Sequence, residues 1–159
     1  MTKKAKIWVG VLVVLFAVGV IGVVLYRQAM QKYISKSKSV EGRVAVRSLF
    51  MRARDAAQET GEFPAGKTGP VPAAGSCCKG PEGQCAPDPA LWEAEPWSTL
   101  GFVQDMPHRY SVEYEVDASG TLTVRAIGDL DCDGTFSTFS MTGTVSGAEP
   151  EVSQTDPLE

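Results

Sequence analysis

The chain begins with a long segment that is apolar on every side. Residues 7–26 read IWVGVLVVLFAVGVIGVVLY, without a charged residue or a proline. As a helix the segment would be roughly 30 Å long, which matches the hydrocarbon thickness of a bilayer. The pattern predicts a membrane helix, or a helix that moves from a membrane into an equally apolar bundle. A cleaved signal peptide is the alternative, because residues 1–6 form a basic leader. We favour a retained anchor, since the run is long for a signal peptide and ends in Leu25-Tyr26-Arg27 without a cleavage site.

Residues 27–60 keep a helical pattern but become amphipathic. They contain no proline and one glycine, Gly42, and Gly61 follows as a natural C-terminal cap. Apolar residues recur at helical spacing, and most basic residues fall on other faces. The predicted apolar stripe consists of Tyr33, Val40, Val44 and Met51, widened by Met30, Ile34, Ala53 and Ala56. We therefore expect one continuous helix of about 50–55 residues whose second half is covered by a small domain.

The rest of the chain predicts a loop followed by a sheet. Residues 61–96 are rich in glycine and proline, which favours an irregular segment. Residues 97–145 bring aromatic residues and then period-two alternation, with strands predicted at 110–116, 121–126 and 135–142. Residues 146–159 are expected to be a frayed acidic tail. The predicted fold class is α+β: a long N-terminal helix, half membrane segment and half amphipathic, packed on an antiparallel sheet of three or four strands.

Four cysteines indicate how the loop is held and where the domain lies. Cys77, Cys78, Cys85 and Cys132 form an even set in a loop-rich domain, which favours two disulfides and an oxidising compartment. Bonding between the adjacent pair would strain the peptide, so one of them is expected to pair with Cys85 and the other with Cys132, in an order left open. Zinc binding by the cysteines is the weaker alternative, because adjacent ligands do not match the usual spacing.

Charge alone does not orient the apolar segment. Eleven of the 15 lysines and arginines lie in the first 54 residues, so both flanks of the segment are basic. The cysteines decide the orientation instead. We expect a cytosolic N-terminus and an extracytoplasmic domain, with a single pass through the inner membrane.

A cluster of aspartates predicts a cation site or a self-capped turn. The spacing Asp129-x-Asp131-x-Asp133-Gly134 resembles the first half of an EF-hand calcium loop, although Ser140 stands where a bidentate glutamate is expected. The candidate calcium ligands are Asp129, Asp131, Asp133, Thr135 and Ser137. The alternative is a turn whose aspartates accept hydrogen bonds from their own backbone.

No residue pattern indicates catalysis. His108 is the single histidine, and no nucleophile or second base accompanies it in the sequence, so we expect a surface or strand-entry residue and no enzyme. The basic helix face between Lys36 and Arg54 would attract anionic lipid headgroups or acidic faces of neighbouring subunits. Nucleic acid is not an expected partner.

Two segments carry a resemblance to a known family. Residues 35–43, SKSKSVEGR, are similar to the lysine- and serine-rich junction that follows the apolar part of many type IV pilins. Residues 126–139, AIGDLDCDGTFSTF, resemble the A-x-G-D-L-D-x-D-G-x-x-S-x-F ending of pilin-like proteins of deltaproteobacterial type. Together with the overall architecture, the chain resembles the type IV pilin and pseudopilin family. The resemblance implies a structural subunit that assembles through its apolar helix into a filament or pseudopilus, with copies of itself, other pilin-like subunits, prepilin peptidase and the assembly machinery as partners.

The chain also departs from that family. In that family, prepilin peptidase cuts after a glycine that is usually followed by phenylalanine or methionine, and an acidic residue lies a few positions inside. Here the possible cleavage position is Gly10, which is followed by Val11, and no acidic residue precedes Glu41. Assembly residues are expected on the apolar helix: Ile7, Val11, Leu15, Val18 and Leu25. The departures favour a second hypothesis, a single-pass anchored extracytoplasmic domain that binds a ligand or partner without polymerising.

Overall fold

A 58-residue helix, α1, and an antiparallel sheet make up the computed structural model, which describes residues 3–156. The regular elements are α1 (Lys3–Thr60), α2 (Trp97–Leu100), β1 (Lys67–Val71), β2 (Tyr110–Val116), β3 (Leu122–Gly128), β4 (Ser137–Gly143) and β5 (Ser153–Thr155). Three short 3₁₀ turns lie at Ser76–Lys79, Pro81–Gly83 and Pro89–Trp92. The chain divides into two compact units, one up to residue 34 and one from residue 35 onward.

The sheet is an antiparallel meander in which spatial order follows chain order. Its centre is regular: Tyr110 pairs with Gly128 and Val116 with Leu122 between β2 and β3, and β3 pairs with β4 from Leu122–Gly143 to Gly128–Ser137. Alternation places Leu122, Val124 and Ala126 in the core. The predicted α+β class, with a long helix packed on an antiparallel sheet, is confirmed.

The predicted number of strands is wrong, because the described residues form five strands instead of three or four. β1 lies inside the segment predicted to be a loop. Its residues KTGPV lack apolar alternation, and its register shifts between Thr68 and Val71, so only backbone pairing with β2 defines it. β5 lies inside the segment predicted to be a frayed tail. It consists of three exposed polar residues, Ser153–Thr155, that pair with the edge of β4.

The core of the second unit lies between α1 and one face of the sheet. The helix contributes side chains at positions one turn apart, all with no exposed surface: Val46, Leu49, Phe50, Ala53 and Ala57. The sheet contributes Tyr110, Val112, Tyr114, Leu122, Val124, Ala126, Phe139 and Met141. Trp97 closes one side, packing edge-on against Trp92 and Tyr114 at centroid distances of 5.3 and 6.4 Å.

The helix face predicted to be covered is largely the wrong one. Val40 and Val44 are 56% and 60% exposed, and Tyr33 is 71% exposed, whereas Ala53 from the widened stripe is buried. The physical reason is Gly42, which brings the helix backbone close to the sheet. A Cβ atom at this position would lie 2.6 Å from the ring of Tyr110 and 2.7 Å from that of Phe139. Close approach at a small residue therefore determined which face is buried.

Candidate functional site

The described large side chains in the apolar segment of α1 are exposed to solvent. Among the predicted assembly residues, Leu15, Val18 and Leu25 are 60–62% exposed. The side chains of Ile7 and Val11, and the cleavage position predicted at Gly10, lie outside the residues that the structure describes. Among the described residues of this unit, the other large apolar side chains that are exposed are Trp8, Leu12, Val13, Phe16, Val20, Ile21, Val23, Val24, Tyr26, Met30, Tyr33 and Ile34.

The prediction of a membrane-spanning helix over residues 7–26 is not confirmed. Within the described part of the chain, no helix is both long enough and apolar enough to cross a membrane. Of residues 7–26, the side chains at 7, 9, 10, 11 and 14 are outside that described part.

The predicted disulfides are confirmed, and the structure decides their order. Cys77 pairs with Cys85 across eight positions of sequence, and Cys78 pairs with Cys132 across 54 positions. The 3₁₀ turn at Ser76–Lys79 allows the adjacent cysteines to bond in different directions. The longer bridge ties the loop after α1 to the connection between β3 and β4, so the irregular segment is held against the sheet.

The aspartate loop satisfies its carboxylates with its own backbone. Oδ1 and Oδ2 of Asp129 accept hydrogen bonds from the backbone N–H groups of Asp133 and Gly134, at 3.2 and 3.0 Å. Asp133 accepts from the N–H of Thr135 at 2.7 Å, and this bond lowers the pKa of Asp133. Carboxylate oxygens of Asp129, Asp131 and Asp133 lie within 4.8 Å of one another, a spacing that a hard cation could bridge.

The other two predicted calcium ligands have different surroundings. Ser137 is fully buried, and its hydroxyl accepts a hydrogen bond from Tyr110 at 2.9 Å. Thr135 is exposed and contributes its backbone N–H to Asp133. Calcium binding at this loop stays a prediction, and the self-capped turn is the arrangement that the hydrogen bonds describe.

The two segments that carry the family resemblance contact each other. Nζ of Lys38 donates a hydrogen bond to the carbonyl of Leu130 at 2.7 Å. The guanidinium of Arg43 lies 5.8 Å above the ring centroid of Phe139, a cation–π distance. Residues of the predicted junction therefore hold the aspartate loop and β4 against α1.

Glu41 is a structural residue that sequence reasoning missed. Its Oε1 accepts hydrogen bonds from the backbone N–H groups of Arg109 and Tyr110, where β2 begins. Its second oxygen lies 3.8 Å from the guanidinium of Arg109. The available signal was its isolation, because Glu41 is the sole carboxylate in the first 54 residues.

His108 lies at the entry of β2 as predicted, but it is not on the surface. It is 5% exposed, and an isolated antiparallel bridge pairs its backbone with Cys85. Its Nδ1 is 2.9 Å from the carbonyl of Met106, and its Nε2 is buried without a hydrogen-bond partner in the described residues. The sequence contained no signal for this burial, because Cys85 is 23 positions away.

Comparison with models of protein families, with curated proteins and with solved structures finds no match to this chain. A function is therefore inferred from the geometry of the two units and from the resemblance of the two contacting segments.

Proposed function

We propose that this protein is a structural subunit similar to type IV pilins and pseudopilins. It assembles through the apolar N-terminal segment of α1 with copies of itself or with other pilin-like subunits. The observation that carries the proposal is the exposure of one apolar side chain after another, exemplified by Phe16 at 75% and Val18 at 62%. Contiguous apolar surface of this kind marks an interaction site.

Burial of this segment supplies the driving force for assembly. Transfer of one exposed valine, leucine or phenylalanine out of water contributes about 1.5–3 kcal/mol. A bilayer or a bundle of like helices would provide that environment, and movement between them costs little because both are apolar. The protein would first reside in the inner membrane as a single-pass protein and then be incorporated into an extracellular filament or a pseudopilus.

The second unit supports this proposal by being complete without the first. Its core is closed by residues of its own, from Val46 on the helix to Met141 on β4. Both disulfides lie in it, which favours an extracytoplasmic position. In the assembly this unit would form the outer surface, and prepilin peptidase would cut after Gly10.

A second candidate function is an anchored binding module that does not polymerise. The observation that favours it is chemical: Gly10 is followed by Val11, and no acidic residue precedes Glu41. A carboxylate inside the apolar segment would pair with the N-terminal amine of a neighbouring subunit, and this chain offers none there. The same apolar segment would then serve as an anchor in the inner membrane.

One experiment separates the two candidates. The protein is purified from cells and from the filament fraction released by shearing, and its intact mass is measured. Val18→Asp is compared with Val103→Asp, which places the same charge at a residue 46% exposed in the second unit. The filament proposal predicts a mass lacking residues 1–10, a sheared fraction that contains the protein, and loss of that fraction for Val18→Asp alone.

Two outcomes would contradict the filament proposal. A full-length mass with all protein in the membrane fraction would favour the anchored module. Equal filament yields from both variants would mean that the apolar segment does not drive assembly. Intact far-ultraviolet circular dichroism of both variants is the control for folding.

A further inference from the structure

Three metal-ligating groups converge beside the shorter disulfide. The sulfur atoms of Cys77 and Cys85 and a ring nitrogen of His108 all lie within 4.8 Å of one another. Cys77 and His108 are 4% and 5% exposed, and Cys85 is half-buried. These are soft sulfur and borderline nitrogen donors, the set that zinc prefers in proteins.

The hydrogen bonding of the His108 imidazole leaves Nε2 available as a metal ligand. A carbonyl can only accept, so the contact between Nδ1 and the carbonyl of Met106 places the proton on Nδ1. In the neutral ring Nε2 carries the lone pair, and this nitrogen is buried with no partner among the described residues. Histidines that bind metals commonly donate their other N–H to a backbone carbonyl in this way.

The ligands are held in place by bonds other than their own disulfide. Two backbone hydrogen bonds join Cys85 and His108, at 2.7 and 3.1 Å. Cys77 is fixed by the 3₁₀ turn at Ser76–Lys79, in which its carbonyl accepts a hydrogen bond from the N–H of Gly80 at 3.0 Å. Cleavage of the Cys77–Cys85 bond would therefore leave both sulfurs close to the ring.

We propose that reduction of the Cys77–Cys85 disulfide converts this cluster into a zinc site. The ligands are the two thiolate sulfurs and Nε2 of His108, and the fourth position is open to water. Two thiols, which become a disulfide, or one phosphine supply the two electrons. With a phosphine, the S–S bond breaks, water supplies two protons to the sulfurs and its oxygen to the phosphine oxide. Zn²⁺ then displaces both thiol protons, because thiolates are the ligands.

A second cluster in the same region is less suited to zinc. Cys78, Cys132 and Asp129 also lie within 4.8 Å of one another. Both oxygens of Asp129 already accept backbone hydrogen bonds, and Cys132 is exposed. The cluster contains no imidazole, so Asp129→Asn is a matched control for substitutions in the proposed site.

The test uses the full chain in detergent, with ¹⁵N-labelled histidine. Zn²⁺ alone is titrated into the oxidised protein and into the protein reduced with a water-soluble phosphine. Because the phosphine also cleaves the Cys78–Cys132 bond, the same titrations are repeated with Cys78→Ser/Cys132→Ser, in which Cys77–Cys85 is the remaining disulfide. Metal per chain is measured by native mass spectrometry, and the histidine ring nitrogens are followed by NMR. The single histidine of the chain makes that signal unambiguous.

The proposal predicts one zinc per reduced chain, none on the oxidised chain, and a shift of the Nε2 resonance only in the reduced protein with zinc. His108→Gln should weaken binding by about tenfold or more, while Asp129→Asn leaves it unchanged.

Zinc bound without an Nε2 shift would overturn the proposal, as would equal weakening by both variants. If the reduced chain loses its circular-dichroism signal, zinc should restore it, and failure to do so also overturns the proposal. None of these outcomes depends on whether the protein forms filaments.

Discussion

The two parts of α1 differ in what surrounds them, although the same helix contains both. Phe16 in the first unit is 75% exposed, whereas Phe50 in the second unit has no exposed surface. The first part is the more uniformly apolar of the two. Burial in this protein is therefore decided by the presence of a complementary surface in the chain and not by the hydrophobicity of the helix.

The glycines repeat the same contrast. At Gly22 in the first unit, no atom other than those of adjacent residues and the local helix backbone lies within 4 Å of the position that a Cβ would occupy, whereas at Gly42 a Cβ would meet two aromatic rings. Glycine in a helix is unfavourable by about 1 kcal/mol relative to alanine. At Gly42 that cost is offset by the close packing that the glycine permits. The first part of the helix lacks such a partner within the described residues of its own unit.

The largest expected effect comes from truncating the two phenylalanines. Phe50→Ala should lower the free energy of unfolding of the second unit by about 3–5 kcal/mol, because it leaves a cavity in a closed core. Phe16→Ala should leave that free energy within about 0.5 kcal/mol. Urea unfolding followed by near-ultraviolet circular dichroism measures both. Equal effects of the two substitutions would break the comparison between the parts.

Removal of the disulfides should cause the next largest loss of stability. Both bridges lie in the second unit, so their removal tests what stabilises that unit apart from its core. The chain-entropy model gives a stabilisation of about 4 kcal/mol for the 54-residue separation of Cys78–Cys132 and about 2.5 kcal/mol for the eight-residue separation of Cys77–Cys85. Serine pairs at the corresponding positions, measured in the same denaturant series, test the order. A greater loss from the short bridge would mean that native-state contacts outweigh loop closure.

Alanine substitutions at the two glycines should have smaller effects on stability, and these effects should be opposite in sign. Gly42→Ala should destabilise the second unit by about 1–3 kcal/mol, since the added methyl group meets the rings of Tyr110 and Phe139. Gly22→Ala should raise helix content slightly, because it removes a glycine without meeting any neighbour. Thermal unfolding of both variants in detergent measures the difference. An increase in stability for Gly42→Ala would show that the close packing is not required.

Alkaline pH should gradually lower the free energy of unfolding of the second unit. Burial raises the pKa of Tyr110 to about 12 from a usual value of 10.0, and burial also raises the pKa of Tyr114. The folded state keeps these phenolic protons longer than the unfolded state, so the stabilisation is present below pH 10 and is lost as the pH rises toward 12. In that window each buried tyrosine lowers the free energy of unfolding by about 1.4 kcal/mol per pH unit. Unfolding free energies measured across this range should fall less steeply for Tyr110→Phe, and an unchanged slope would contradict the assignment.

Sequence patterns predicted the elements whose signal is local. β2 and β3 followed from the alternation of residues such as Tyr114 and Val124, because a strand with one buried face repeats every two residues. The continuity of α1 followed from the absence of proline between residues 3 and 60. The disulfides followed from an even cysteine count in a loop-rich segment, although their order did not.

Tertiary contacts decided the features whose partners are distant in sequence. β1 and β5 form because β2 and β4 have unpaired edges. The residues of these two strands, KTGPV and Ser153–Thr155, do not show the alternation that predicts a strand. The buried face of α1 was determined by the contact of Gly42 with Tyr110, 68 positions away, since the helix sequence carries two apolar stripes and both satisfy helical periodicity. The cluster of Cys77, Cys85 and His108 has the same origin. Backbone pairing brings Cys85 next to His108, and no pattern in the sequence indicates that these two segments pair. Local periodicity thus specified the elements, whereas side-chain size and strand pairing specified which surfaces meet.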